Sequence, residues 1–458
     1  MNTIKKIAIY VLLTGAAGLF YSNGAWAGIP IEQWTQASGV QVYLVQSQAI
    51  PMLDVEIDFD AGSRRDAADQ AGLASVTAGM TSKGVLASDA EPALDENALS
   101  EAWADLGASF GADASGDRMS FSLRSLTYPD LLSKATQLAA RQLGEPAFPP
   151  AIWQRERETL NAAIREANTR PATLAARAFS AAVYGQHPYG FEMTEATLAR
   201  ISVADMKAMY RALILPCRAK VTIVGAVNRA QADSLVTQLF SRLSPAASVA
   251  GNATAPSACP ALPAVAEVAP LGQALEKRIA FDSAQTHVLI GQPGFKRDDP
   301  DYFALTVGNY ILGGGGFVSR LTTEVREKRG LSYSVYSYFA PGLHAGAFTL
   351  GLQTRPDQTS QAVQVSRDVL AKFVANGPTE TELQAAKDHL IGGFALRIDS
   401  NRKLLDNVAS MAWNKLPLDY LATWTQQVKK VSAADIRAAF ARKLQPDKMV
   451  TVVLGNPS

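Results

Sequence analysis

The sequence contains few of the side chains that bind metal ions or cross-link small domains. Its 458 residues include two cysteines, Cys217 and Cys259, and four histidines that lie far apart, without an HxxEH or HxxxH pair. Two cysteines exclude a disulfide-rich scaffold and a four-cysteine zinc site. The missing histidine pairs argue against most metallohydrolase chemistry within this chain. Whether the two cysteines pair stays open, because sequence alone does not fix their geometry.

An excess of charge of either sign is also absent. Lysine and arginine number 43 against 42 aspartates and glutamates, which gives a formal net charge of +1. Because no positive excess is available to hold a polyanion, the composition argues against nucleic-acid binding. Hydrophobic residues make up 48% of the chain and charged residues 19%. These fractions are typical of a globular protein, and the length favours two or three domains.

The N-terminus has the pattern of a secretory signal peptide over residues 1–27. Lys5 and Lys6 precede an apolar run from Ile7 to Phe20, and Ala25-Trp26-Ala27 resembles a cleavage site. A membrane anchor is the alternative, but a spanning helix needs about 20 apolar residues. We therefore expect export to the periplasm, with no membrane anchor after cleavage. That compartment would permit a disulfide between the two cysteines.

A long internal repeat divides the chain into two related domains. The segment from Ile201 to Gly225 recurs in register from Val431 to Gly455, which is 230 residues further along. Each copy reads as a serine N-cap, an amphipathic helix, a proline and a β-branched strand. The stretch 244–271 is rich in proline and alanine and is typical of a linker. The sequence thus predicts domains over 28–243 and 272–458.

Both domains mix short strands with longer helices. Residues 41–45 and 52–59 alternate as half-buried strands, and residues 128–143 and 150–167 follow the helical period. Strands in hairpin-like succession beside amphipathic helices favour an α+β fold. In each domain we expect a mostly antiparallel sheet covered on one side by helices.

Several motifs, taken together, resemble the insulinase-like peptidase family M16, which includes pitrilysin and the processing peptidases. The most specific is LGGGGFVSRLTTEVREKRGLSYSV, which begins at Leu312. The first half adds Asp60-Ala-Gly62, then Gly72-Leu-Ala, and later His187-Pro-Tyr-Gly190. This resemblance implies two homologous domains in a clam-shell arrangement, of the LuxS/M16 metallohydrolase type.

The chain departs from the family where active members bind zinc. Those members carry HxxEH on the helix after Gly-Leu-Ala, with two histidines one turn apart and a glutamate that activates water. Here Ser75 and Gly79 replace the histidines and Ala78 replaces the glutamate. Ala162-Ala163 stands where the downstream glutamate ligand is expected. The resemblance therefore implies no catalytic residue, no metal ligand and no enzyme activity in this chain on its own.

A second family feature is retained. Family members use an arginine and a tyrosine seven residues later in the C-terminal domain to bind substrate, and Arg326 and Tyr333 match that spacing. Ser319 can cap a helix whose last turn holds Arg326, and Gly330 can end it. The alternative is an ordinary surface arginine at a helix end followed by a core tyrosine.

The resemblance thus predicts the non-catalytic subunit of a heterodimeric, exported M16 metalloendopeptidase. The partner would carry HxxEH and its zinc, and the substrates would be short unfolded peptides. In this reading Arg326 and Tyr333 hold substrate and stabilise the tetrahedral intermediate. Three alternatives remain: a periplasmic, homodimeric peptide-binding protein, an assembly scaffold, and a zinc enzyme with unusual ligands.

Overall fold

A computed structural model describes residues 29–243 and 259–456 of the chain. The predicted signal peptide at 1–27 and residues 244–258 of the predicted linker lie outside the described residues. We call residues 29–243 the first half and residues 272–456 the second half. None of the helices in the described ranges has the length and apolarity that crossing a membrane requires.

The two halves carry similar sets of elements. The strands of the first half are β1 (Glu32–Thr35), β2 (Gln41–Gln46), β3 (Met52–Phe59), β4 (Gly84–Val85), β5 (Leu94–Asp95), β6 (Ser109–Ala114), β7 (Met119–Leu126) and β8 (Lys220–Gly225). Its helices are α1 (Leu73–Met80), α2 (Glu96–Asp105), α3 (Pro129–Gly144), α4 (Pro150–Ala167), α5 (Pro171–Tyr184), α6 (Glu195–Ala199), α7 (Val203–Leu213) and α8 (Arg229–Leu239).

The second half follows the same scheme with fewer strands. Its strands are β9 (Leu275–Ala280), β10 (Thr286–Phe295), β11 (Val335–Phe339), β12 (Gly346–Thr354) and β13 (Val450–Gly455). Its α-helices are α9 (Tyr302–Asn309), α10 (Thr359–Asn376), α11 (Glu380–Gly392), α12 (Asn401–Trp413), α13 (Tyr420–Lys430) and α14 (Ala433–Lys443).

Each half builds one main sheet. The strand order is β1-β2-β8-β3-β7-β6 in the first half and β11-β12-β10-β13-β9 in the second. Neighbouring strands are antiparallel except for β2 with β8 and β9 with β13. Two related, mostly antiparallel sheets packed with helices confirm the α+β fold expected from the sequence.

The sequence repeat corresponds to α7 with β8 in the first half and α14 with β13 in the second. Both the helix pair and the strand pair begin and end 230 residues apart. Each helix begins at a serine whose hydroxyl accepts a hydrogen bond from the aspartate N–H three residues later. These distances are 3.2 Å for Ser202 with Asp205 and 3.1 Å for Ser432 with Asp435. The repeated strand then enters the interior of its sheet and pairs with a neighbour on each side.

One face of each sheet packs on helices of its own half. On β3, the apolar side chains alternate with acidic ones, and Leu53, Val55, Ile57 and Phe59 are buried in the core of the first half. On β10, Val288 and Ile290 enter the core of the second half. This alternation follows from the two-residue period of a strand.

The opposite face of each sheet receives a helix from the other half. Helix α5 of the first half packs on β10 and β13, and α12 of the second half packs on β3 and β8. The expectation that helices cover each sheet on one side only was therefore incomplete. An amphipathic helix buries its apolar face against whichever sheet is near, and the sequence period does not name that sheet.

The described part of the predicted linker lies against both halves. Cys259 forms a disulfide with Cys217, with the two Cα atoms 5.6 Å apart. Further along, the Arg65 guanidinium donates to the Pro263 carbonyl oxygen at 2.5 Å. The Glu267 carboxylate accepts from the Ala345 N–H of the second half at 2.9 Å. The disulfide and these contacts attach the segment to the protein surface.

Candidate functional site

Helix α1 carries Ser75, Ala78 and Gly79, the positions that the sequence resemblance aligns with the zinc-binding motif of active family members. Its start is fixed by Asp66, whose carboxylate accepts from the backbone N–H groups of Gly72 at 2.9 Å and Ala74 at 3.0 Å. Burial raises the pKa of Asp66 to about 7, although these backbone hydrogen bonds act in the opposite direction. The helix is packed beside β6, the edge strand of the first sheet, and beside α7.

The three positions that depart from the zinc motif differ in exposure. Ala78 is buried, Ser75 is half-buried and Gly79 is exposed. A Cβ atom added at Gly79 would meet no neighbouring atom within 4 Å, so the backbone leaves room for a side chain there. The backbone thus leaves room for a side chain at Gly79, and the three side chains present supply no metal donor beyond the Ser75 hydroxyl.

The donor set around α1 does not fit zinc. Zn²⁺ in proteins takes cysteine, histidine or carboxylate ligands, whereas this face offers a hydroxyl, a methyl group and a hydrogen. On α4, Ala162 and Ala163 are exposed and likewise supply no donor. Throughout residues 29–243 and 259–456, no three His, Cys, Asp or Glu side chains are grouped so that they could hold a metal ion.

The glycine-rich segment of the second half lies along β11, the edge strand of its sheet. A π-helical turn spans Tyr310–Gly314. A Cβ atom at Gly313 would stand 2.5 Å from the Ser337 backbone nitrogen, so only glycine permits this approach. The Asn309 side-chain amide donates to the Ser337 carbonyl oxygen at 3.0 Å. The segment therefore covers the strand edge at Ser337 and fixes where the following turn begins.

Arg326 lies in the last turn of the next helical segment. Ser319 is buried, and its hydroxyl accepts from the Thr322 N–H at 3.4 Å at the start of that segment. A π-helical stretch then covers Thr322–Glu327. The segment ends at Gly330, whose φ of +63° suits glycine and whose N–H donates to the Arg326 carbonyl oxygen at 2.8 Å.

Tyr333 follows on the loop that leads into β11. Its neighbours Leu331, Ser332 and Val335 are buried, whereas Tyr333 itself is 80% exposed. The Thr354 hydroxyl donates to the Leu331 carbonyl oxygen at 2.6 Å and holds the loop against β12. The tyrosine is therefore a surface residue on a fixed backbone, not the core residue of the alternative reading.

The structure brings Arg326 and Tyr333 together and adds a third side chain. The Arg326 Cζ atom lies 4.6 Å from the centre of the Tyr333 ring and 4.7 Å from the centre of the Phe317 ring. Sequence reasoning missed Phe317, although an aromatic residue directly after four glycines was a signal available in the sequence. We call Phe317, Arg326 and Tyr333 the aromatic–arginine cluster.

The cluster and the α1 face lie on different elements, in the second and the first half respectively. Among the described residues, no hydrogen bond, ion pair or aromatic contact joins Ser75, Ala78 or Gly79 to the cluster. One place therefore lacks the groups for metal chemistry, and the other presents a cation and a phenol to solvent.

Comparison with known proteins places both halves in one family. Residues 41–197 match the model of insulinase (peptidase family M16), and residues 200–390 match the peptidase M16 inactive domain. The crystal structure of a peptidase M16 inactive domain from Pseudomonas fluorescens is 33% identical, with a TM-score of 0.84. That match covers 93% of this chain and 98% of the other. The chain belongs to peptidase family M16.

Other relatives match over shorter lengths. An uncharacterised zinc protease of Streptomyces coelicolor is 28% identical over 57% of this chain and 55% of its own length. The non-peptidase homologue YmxG of Helicobacter pylori is 31% identical over 40% of this chain and 42% of its own. The chain thus spans about half the length of these curated relatives. Together with the inactive-domain match, these similarities are consistent with a non-catalytic M16 homologue.

Proposed function

We propose that this chain is the non-catalytic subunit of an exported M16 peptidase. The observation that carries the proposal is the contrast between two candidate sites, the α1 face and the aromatic–arginine cluster. The α1 face has no side chains that suit zinc, whereas the half-buried Arg326 and the exposed Tyr333 lie together on an ordered backbone. A chain that has only the substrate contacts would bind the substrate, while another subunit would supply the metal for the reaction.

In this proposal the partner subunit carries HxxEH and its zinc, which would activate the water that attacks the peptide bond. The residues of the present chain bind and orient the substrate. The Arg326 guanidinium donates to a peptide carbonyl or carboxylate oxygen. The Tyr333 hydroxyl donates to the oxygen that becomes negatively charged during the attack. Short, unfolded peptides are the substrates that this arrangement suits.

The disulfide supports the part of the proposal that concerns export. Cys217 and Cys259 are bonded to each other and are the only cysteines in the chain. Structural disulfides persist in oxidising compartments such as the bacterial periplasm and are rare in the cytosol. The bond therefore agrees with a signal peptide at residues 1–27 and with a periplasmic protein.

Reconstitution tests the proposal. The purified mature chain is mixed with an HxxEH-bearing M16 chain from the same genome, and cleavage of an unstructured fluorogenic peptide is followed. We expect cleavage from the mixture and none from the present chain alone. Full cleavage by the HxxEH chain alone, unchanged when this chain is added, would contradict the proposal and favour a homodimeric peptide-binding protein or a scaffold.

A further inference from the structure

Arg326 differs from the other cations of its segment. Arg320 pairs with Glu382 at 2.6 Å, and Lys328 and Arg329 each pair with Glu324 at 2.7 Å. Arg326 has no carboxylate within ion-pair distance among the described residues, although it lies between these paired cations. An arginine side chain without an ion-pair partner on such a charged segment is available to bind an anion from outside the chain.

Two aromatic rings hold this guanidinium in place. The Phe317 side chain is 68% exposed and the Tyr333 side chain 80%, so the contact lies at the surface. A guanidinium over an aromatic ring is attracted by the ring's negative face. Its N–H groups point along its own plane, in the paired arrangement that matches the two oxygens of a carboxylate, and they donate no hydrogen bond to another described residue.

The backbone fixes Phe317 where this contact needs it. The buried Ser319 hydroxyl donates to the Gly316 carbonyl oxygen at 2.8 Å, which closes the turn that carries Phe317. The next residue, Val318, is 73% exposed. Phe317 and Val318 therefore add exposed apolar surface to this charged segment, which suits an anionic group that is flanked by apolar side chains.

We propose that the aromatic–arginine cluster is a carboxylate-binding site for extended peptides. The carboxylate is either the C-terminus of the peptide or an aspartate or glutamate side chain. Phe317 is a positioning residue that acts through Arg326, because its ring orients the guanidinium without touching the ligand's oxygens. The inference rests on the proposed role of Arg326 and Tyr333 in peptide binding and specifies which peptides are bound.

Fluorescence anisotropy with the purified mature chain tests the proposal. Three labelled peptides share one alanine- and leucine-containing sequence: one has a free C-terminal carboxylate, one is amidated, and one is amidated with a single internal glutamate. We expect the free acid, the glutamate peptide or both to bind about 10- to 100-fold more tightly than the plain amide. Which of the two binds tightly identifies the source of the carboxylate.

Two outcomes separate this inference from the function on which it rests. Equal affinity of all three peptides would overturn the carboxylate site while leaving peptide binding intact. Failure of all three to bind would overturn the proposed peptide contact itself, and the carboxylate site with it.

Variants of Phe317 test the positioning role. Phe317→Leu keeps an apolar side chain but removes the ring, and we expect it to reduce the preference for the carboxylate by about 2- to 5-fold. Phe317→Tyr keeps the ring and should restore the preference, and Val318→Ala serves as the neighbouring control. An unchanged preference in Phe317→Leu, with unchanged thermal stability, would show that Phe317 does not position Arg326.

Discussion

Tyr333 presents its hydroxyl group to solvent from a loop whose flanking residues are buried. Leu331 and Val335 anchor the two sides of the loop in the core of the second half. This combination of an exposed side chain on an ordered backbone is what a substrate contact requires, because an immobile group loses little conformational entropy when it binds.

Removal of the Tyr333 hydroxyl should affect catalysis more than folding. In the reconstituted complex, we expect Tyr333→Phe to lower kcat by about 10- to 1000-fold, the range for losing one donor to the developing oxyanion. Tyr128→Phe, at an exposed tyrosine of the first half, is the matched control. An unchanged kcat in Tyr333→Phe would rule out the proposed role of this hydroxyl.

At the residue scale, the sequence identified part of the cluster and missed the rest. Arg326 and Tyr333 were selected only because their spacing resembles the family, and their role stays a prediction. Phe317 was not selected because an exposed aromatic residue has no periodic signal, and its contact with Arg326 spans nine positions of irregular helix and turn. Only the fold shows that the two side chains meet.

At the scale of elements, the two exchanged helices make contacts of opposite character. On α5, Ala175, Phe179 and Val183 pack on Val450 and its apolar neighbours in β13. At the sheet of the first half, α12 lies over a row of buried carboxylates on β3. Tyr43, Val45 and Val224 add apolar contacts there. One interface therefore depends on apolar packing, and the other also depends on buried charge.

The apolar interface should be sensitive to the loss of volume. Phe179 is buried against the backbone of β10, where a Cβ added at Gly291 would stand 2.8 Å from its ring. We expect Phe179→Ala to lower the free energy of unfolding by about 3–5 kcal/mol, measured by denaturant titration. Ala176→Ser, at an exposed position of the same helix, is the control. Equal stability of both variants would contradict the packing role of α5.

Buried carboxylates define the other interface. Asp54, Glu56 and Asp58 lie on one face of β3 and are buried. The Arg118 guanidinium lies 3.3 Å from the Glu56 carboxylate and 2.7 Å from that of Asp58. The Lys220 ammonium donates to the carbonyl oxygen of Ala412, at the end of α12, at 2.7 Å. Burial lowers the pKa of Lys220 to about 8, since it disfavours the charged form.

The charged interface should make stability depend on pH. Burial, followed by the nearby Asp58 carboxylate, raises the pKa of Glu56 to about 7 from its ordinary value of 4.5. A raised carboxyl pKa means that the folded state binds the proton more tightly than the unfolded state. The contribution of Glu56 to the free energy of unfolding is therefore largest below about pH 4.5 and falls as the pH rises through about 7.

Comparison of Glu56→Gln with the wild type isolates this contribution, because glutamine does not titrate. We compare the free energy of unfolding of the variant minus that of the wild type. We expect this difference to increase by about 2 kcal/mol between pH 5 and pH 8. Glu101→Gln, at an exposed position of α2, is the control. A difference between Glu56→Gln and wild type that does not change with pH would contradict this account.

Sequence analysis predicted the helices and strands themselves better than it predicted which elements pack against each other. The helix–strand repeat was predicted from its serine caps, helical period and β-branched strand, and α7–β8 and α14–β13 occur at those positions. The alternation of β3 predicted a polar face, and a polar strand face is ordinarily solvated. Helix α12 of the other half covers this polar face through contacts between residues that are far apart in sequence. Local sequence patterns do not encode such contacts.

At the scale of the whole molecule, the exchanged helices join the two halves, and the disulfide attaches the linker segment to the first half. The bond between Cys217 and Cys259 closes a loop with a sequence separation of 42. In the chain-entropy model, a loop of this length stabilises the folded protein by about 4 kcal/mol. We expect a reductant to lower the denaturation midpoint of the wild type. The double variant Cys217→Ser/Cys259→Ser should not respond, and an unaffected wild type would show that the bond contributes nothing.

We propose that this chain works together with a second M16 subunit that carries the zinc. A native pull-down of the tagged chain from the cells that express it, followed by mass spectrometry, tests this proposal most directly. We predict a stoichiometric partner with an HxxEH motif and one zinc ion for each pair of chains. Recovery of the chain alone or as a homodimer, without zinc and without such a partner, would contradict the claim.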